Sequence, residues 1–511
     1  MEQKNIWENY SAEQLEELEK VNKEYRDFLD NGKTERECID VIVNTIEAEG
    51  YRELGSLVKA GTTLKKGDKV YCVWMNKSIA MFRIGEKPFE EGMNILGAHI
   101  DSPRLDVKQN PLYEDGGLAY LDTHYYGGVK KYQWVAIPLA IHGVIVKKDG
   151  TTVELNIGEN EDDPVFFVSD LLIHLSAEQL KKPAAKVIEG EALDLIVGNK
   201  PIVIDKRSKE GAESKDMAQN AAEGKDKAAD PAKGEDEARN IAEDKDEVQE
   251  NAEDKAKEGV KAGILEILKD TYGIEEDDFI SAELEIVPAG RAREAGFDRS
   301  MILAYGQDDR VCAFTSMRAM LDAKESERTV CCILVDKEEI GSVGATGMHS
   351  RFFENAVAEL MNLTGEYNEL LLRRCLAHSC MLSSDVNAGF DPSYASCFER
   401  KNASFLGGGM VFSKFTGSRG KSGSNDANAE YIAHLRKILD DRKVMYQTAE
   451  LGKVDVGGGG TIAYILAQYG MNVIDSGVAV LNMHAPWEAT NKADVYETYR
   501  GYIAFVEEAD M

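Results

Sequence analysis

The 511-residue sequence is poor in basic residues: 60 Lys and Arg face 91 Asp and Glu, a formal charge of −31. A surface of that sign repels phosphate backbones and anionic lipid headgroups, which argues against nucleic acid or a charged membrane as a partner. No run of about 18 apolar residues occurs, so no helical membrane span is expected. The opening residues, acidic and helix-patterned, lack the basic and apolar regions of a signal peptide. Cys-x-x-Cys pairs are absent as well. Of the eight cysteines, Cys331 and Cys332 fall inside an apolar run, as suits reduced core thiols. These absences predict a cytoplasmic globular protein, and its length allows about two or three domains.

Apolar residues recur at helical spacing from Leu15 to Phe28 and again from Ile39 to Ile46, which predicts two opening helices. An alternating stretch at 69–85 reads as paired strands turning at Asn76 and Lys77, and 93–101, MNILGAHID, as a buried strand ending in His99-x-Asp101. From about 103 to 286 the alternation and a Lys-Asp-Gly turn indicate hairpins, hence a β-rich unit set inside another domain. Within it, 206–259 has neither aromatic residues nor Leu. That acidic, low-complexity insert cannot bury enough apolar surface to offset its ordering entropy, and it is expected to be disordered or a solvated helix. Beyond it come a helix near 263–274, a strand near 281–290, and an amphipathic helix opening at Asp308 and Asp309.

The chain is organised around 329–347, TVCCILVDKEEIGSVGATG. Its apolar half predicts a strand of a covered parallel sheet, with Glu338 and Glu339 at the C-terminal end, where open α/β sheets bind ligands. Paired acids there suit a metal hydrolase, although a Glu pair on a solvated loop is commonplace. Other strand ends supply more ligand types: His99, Asp385 in SSDVNAGFDP, and His484 in NMHAPWEAT. Asp308 or Asp309 joins them, unless both merely cap their helix. A mixed nitrogen and oxygen set fits zinc, one carboxylate being shared by two ions. Asp101 is placed to accept the second imidazole N–H of His99.

The stretches GAHIDSPRLDVK (97–108), GQDDRVCAF (306–314), DKEEIGSVGATG (336–347), SSDVNAGFDP (383–392) and MHAPWEA (483–489) together resemble the aspartyl aminopeptidase family of dizinc aminopeptidases, in a bacterial branch. That resemblance implies an α/β fold: a three-layer α/β/α catalytic domain (1–102 and 287–511) interrupted by a β-rich dimerisation domain (103–286). It implies two Zn2+ per subunit, Co2+ and Mn2+ being able to substitute. Asp308 would bridge the ions, His99 and Asp385 completing one and Glu339 and His484 the other. Glu338 would be the general base, and Asp101 would orient His99. Peptides with a free N-terminus would be the substrates, cut in a homododecamer of tetrahedral form built from dimers. His174 matches a position from which such enzymes reach a neighbouring subunit's pocket; read without the resemblance, it is a His on an apolar helix face.

His124, His142, His349, His378 and His434 match no ligand position and are expected to be structural. Lys130, Lys131 and Lys414 are candidates to meet an acidic substrate side chain, or are ordinary surface lysines. The sequence does not fix the preferred N-terminal residue. Competing readings keep the metals but change the bond, as in a dizinc N-deacylase or carboxypeptidase, or drop catalysis for a self-assembling shell. The first two need a basic clamp for a substrate carboxylate, and none is evident.

Overall fold

The computed structural model describes residues 5–201, 259–324, 326–418 and 420–511. The insert expected at 206–259 lies outside them except for Gly259, which begins the helix Gly259–Tyr272. Four parallel strands, Thr329–Val335, Met93–His99, Cys380–Ser384 and Asn472–Gly477, form the middle of a nine-stranded sheet. Its flanks are mixed. Ser78–Arg83 runs antiparallel to Thr329–Val335, and Met410–Ser413 antiparallel to Asn472–Gly477, so the parallel pairing expected around Thr329–Val335 occupies the centre.

Each central strand is buried on both faces, and its alternate residues enter two different cores. Cys332 and Leu334 join one cluster with Leu96 and Leu382, whereas Cys331 and Ile333 join the other with Ile95 and Met381. The first core is covered by the helices Ala12–Asn31, Gln307–Asp322 and Lys492–Glu508, and the second by Phe352–Thr364 and Glu369–Ala377. The result is a three-layer α/β/α arrangement. The Gln307–Asp322 helix is buried from Gln307 through Met317, not amphipathic as expected, because it packs between the Met93–His99 strand and the Lys492–Glu508 helix. A helix enclosed on all sides carries no polar stripe.

Strands between residues 104 and 288 build a separate six-stranded sheet with its own core around Trp134, Leu139 and Ile286. The predicted hairpin is there, as Leu139–Val146 paired antiparallel with Thr152–Ile157. A third, five-stranded sheet includes Met301–Ala304, Ala479–Leu481 and Glu488–Asn491. It fixes the loop between the last two.

A buried ionic network joins the second helix, Glu35–Ala48, to the β-rich unit. Lys33, 3% exposed, places Nζ 2.5 Å from Glu159 Oε1 and donates to the carbonyls of Pro288 and Gly290. His142 contacts Glu37 at 2.7 Å and Glu159 at 3.2 Å. Glu37 also closes the capping box with Thr34, so one side chain both starts the helix and ties it to the sheet.

Burial acts to lower the His142 ring's pKa, but Glu159 and Glu37 outweigh it and leave the pKa raised. Burial acts to raise Glu37 and Glu159, and His142 with the other donors leaves both lowered. The carboxylate share of the stability is therefore present above the ordinary value of 4.5 and is lost as pH falls; the imidazole share is full below 6.5 and is lost as pH rises through the raised folded value. Between those limits both operate. Lys33→Ala leaves Glu159 with His142 alone and is expected to destabilise by about 3 kcal/mol. Urea titrations of wild type and variant should show this difference at neutral pH and its decline as pH falls below 4.5 and Glu159 takes up a proton.

Candidate metal centre

The C-terminal ends of the central strands converge on one buried pocket of acids and imidazoles. His99 is the last residue of its strand and is 1% exposed. Its Nδ1 lies 3.0 Å from the Asp101 carbonyl oxygen and 3.3 Å from Asp101 Oδ1, which directs Nε2 toward Asp308 Oδ1 at 3.3 Å. The Asp101 carboxylate also accepts the backbone N–H of Glu338 and of Glu339, each at 3.1 Å, and the Tyr126 hydroxyl at 2.8 Å. One carboxylate thus fixes an imidazole and the turn that carries both glutamates.

Asp308 and Asp309 do not cap the helix that follows. Their peptide bond is cis, and both have non-helical backbone angles. Their carboxylates instead enter the pocket, where Asp308 lies between two imidazoles: Oδ1 faces His99 Nε2, and Oδ2 is 3.2 Å from His484 Nε2. Asp309 Oδ2 accepts the His99 backbone N–H at 3.4 Å. His484, at a positive φ of 64°, also lies 3.6 Å from Glu339 Oε1, and its Nδ1 is 3.0 Å from the Gly128 carbonyl.

Two triads bring ligand atoms within 4.8 Å of one another: His99 with Asp308 and Glu339, and His99 with Asp309 and Asp385. The structure therefore gathers His99, Asp101, Asp308, Glu339, Asp385 and His484, and Glu338 stands close enough to feel their charges. It does not bring His174 there. That residue is exposed on the short 3-10 turn Ile173–Leu175 and, among the described residues, has no hydrogen bond or ion pair to the pocket. Lys131 donates to the Ala185 carbonyl, and Lys414 pairs with Asp426.

The donor set fits a cation. Asp309 Oδ1 is buried without a hydrogen-bond donor, and Asp308 Oδ1 and Glu339 Oε1 face only an imidazole Nε2 too poorly placed for a hydrogen bond, an arrangement that costs free energy unless positive charge is supplied. Burial first, and then neighbouring acids, push Asp309, Glu339 and Asp385 well above the carboxylate range. Glu338 is pushed up to about 7, again mainly by burial. Burial favours the neutral imidazole of His484, but Asp308 and Glu339 overcome it and raise the ring to about 10.

Glu488 is a residue of this pocket that sequence reasoning passed over. Its side chain is buried, and it accepts the backbone N–H of Asp308 at 2.9 Å and of His484 at 2.7 Å, so it fixes the two segments that face each other. The Gln307 side chain holds the Glu488 carbonyl at 2.6 Å. A lone acid after Trp487 carries no periodic signal. Its spacing four residues after His484 is the one available hint.

The sequence model for the aminopeptidase I zinc metalloproteases (M18) matches residues 28–225 and 223–506. A probable M18 family aminopeptidase 1 of Clostridium acetobutylicum is 55% identical over 99% of this chain and 98% of its own length. Its counterpart in Thermotoga maritima is 42% identical over 99% of each chain. Among solved structures, an M18 aminopeptidase from Thermotoga maritima superposes with a TM-score of 0.85 at 40% identity, covering all of both chains. Aminopeptidase I from Clostridium acetobutylicum gives 0.83 at 53% identity over 99% of this chain and 100% of that one. The strand-end acids and imidazoles therefore sit in the framework of a known group of peptide hydrolases: the chain belongs to the M18 family of zinc metallo-aminopeptidases.

Proposed function

We propose that this zinc aminopeptidase works with two ions per subunit, held by His99 and Asp385 on one side of Asp308 and by Glu339 and His484 on the other. The observation that carries this reading is Asp308, whose two oxygens each face a different imidazole. The orphaned oxygens of Asp308 and Glu339 support it. Cobalt and manganese suit the same nitrogen and oxygen donors. When bound, zinc supplies Lewis-acid polarisation of the scissile carbonyl and a water acidic enough to attack at neutral pH.

The protein's own residues do the rest. Glu338 takes the attacking water's proton on its carboxylate and returns it to the departing amine as the C–N bond breaks. Burial, which raises its affinity for a proton, suits that task. Asp101 keeps the proton of His99 on Nδ1, and Gly128 does the same for His484, leaving each Nε2 free to coordinate. The substrate is a peptide with a free N-terminus. Lys131 and Lys414 are turned to the Ala185 carbonyl and to Asp426, which favours reading them as ordinary surface lysines over partners of an acidic substrate side chain.

The same reading assigns catalysis to 1–102 and 287–511 and dimerisation to 103–286. It is supported by the separate sheet and core of the latter and by its exposed apolar stretch, including Leu171, Leu172, Ile173 and Leu175. Surfaces of that kind mark contact sites, and a second copy of the chain, within a tetrahedral dodecamer, is the proposed occupant. His174 lies in that stretch and would serve the neighbouring subunit. A cytoplasmic location is supported by eight free cysteines and by the lack, among the described residues, of any helix long and apolar enough to cross a membrane.

Glu338→Gln is expected to retain its metal, measured by elemental analysis, while kcat on an aminoacyl-p-nitroanilide falls by about three orders of magnitude or more. Retained activity in a metal-loaded Glu338→Gln protein would remove it as the base. A chelator should abolish turnover, with zinc or cobalt restoring it. Among Asp, Glu, Leu and Lys substrates, free-amine compounds should be cut and an N-acetylated control should remain intact.

A further inference from the structure

We propose that the turn at 126–128 in the β-rich unit is a positioning element of the metal centre, so that zinc affinity depends on where the inserted unit holds Tyr126 and Gly128. The inference rests on the ligand assignment above. The strand Leu118–Tyr126 belongs to the six-stranded sheet, yet its end reaches the pocket formed by the other sheets. Three contacts occur there. The Tyr126 hydroxyl donates to Asp101 Oδ2, and the Gly128 carbonyl is 3.0 Å from His484 Nδ1. Gly127 lies so near Glu339 that a Cβ on it would stand 3.3 Å from Glu339 Cβ and Oε2.

The tyrosine is not free to swing away. The Arg104 guanidinium covers its ring at 3.9 Å and is itself held by Glu35 at 2.7 Å and Glu285 at 3.1 Å. Asp101 is therefore fixed from the side of the inserted unit, while it fixes His99 and the backbone of Glu338 and Glu339. Removing the hydroxyl deletes a donor to that carboxylate and loosens several groups at once. Gly128 acts on the opposite side of the pocket. Its carbonyl selects the tautomer of His484, and its missing side chain leaves room for the ring, since a Cβ would lie 3.2 Å from Nδ1.

The test uses the full chain, stripped of metal and titrated with zinc in competition with a chromophoric chelator. Wild type, Tyr126→Phe, Gly128→Ala and His484→Ala are compared, with melting temperatures of the metal-free proteins alongside. Tyr126→Phe keeps the ring on Arg104 and is expected to weaken zinc binding ~10–100-fold. Gly128→Ala should weaken it through His484 and decides the matter should the phenylalanine variant fold poorly. Affinities within about twofold of wild type in both would overturn the proposal and leave the turn a packing contact. Should His484→Ala bind zinc as wild type does, the ligand assignment fails and this inference falls with it.

Discussion

The crowding of carboxylates around Asp308 is the constraint on which the rest of the structure depends. Asp308 and Asp309 at a helix start, and Glu339 and Asp385 after buried strands, lie close together where water does little to screen their carboxylates. Acids in such a setting either take up protons or bind cations. Two imidazoles, one facing each oxygen of Asp308, and a buried Asp309 oxygen without a donor suit a cation, in keeping with membership of a zinc metallo-aminopeptidase family.

Holding those groups in place is a task for backbone amides. Asp101 accepts the N–H groups of Glu338 and Glu339, and Glu488 those of Asp308 and His484. Two buried acids, neither of them a proposed ligand, thereby tie four residues of the pocket by their main chains. Burial, followed by the charge of Asp308, pushes Glu488 up to about 8, yet both its oxygens are satisfied. Such supports join loops from three sheets: the central strands, the small sheet bearing His484 and Glu488, and the inserted sheet that supplies Tyr126 and Gly128.

Much of this was legible in the sequence because the central strands are apolar on both faces and stop abruptly at polar residues. That pattern pointed to His99, Glu338, Glu339 and Asp385, which the structure brings to one pocket. Asp308 and Asp309 were ambiguous. Acids before a helix resemble caps in any single-sequence reading, and only the surrounding fold turns their carboxylates inward. The same limit hid the burial of the Gln307–Asp322 helix, whose polar Gln307 bonds the distant Glu488 carbonyl, Arg310 the distant Lys33 carbonyl, and Thr315 the helix's own Val311 carbonyl. Glu488, Tyr126 and Gly128 gave little signal, because their roles consist of bonds to residues far away in the chain. The mixed flanks of the large sheet were likewise set by pairing, which apolar runs do not encode.

The most direct test of the account is a crystal of the zinc-loaded protein measured on both sides of the zinc absorption edge. Two anomalous peaks flanking Asp308 are predicted, about 3.5–4 Å apart, one against His99 and Asp385 and the other against Glu339 and His484. A single peak, or peaks that leave Asp308 uncoordinated, would contradict it.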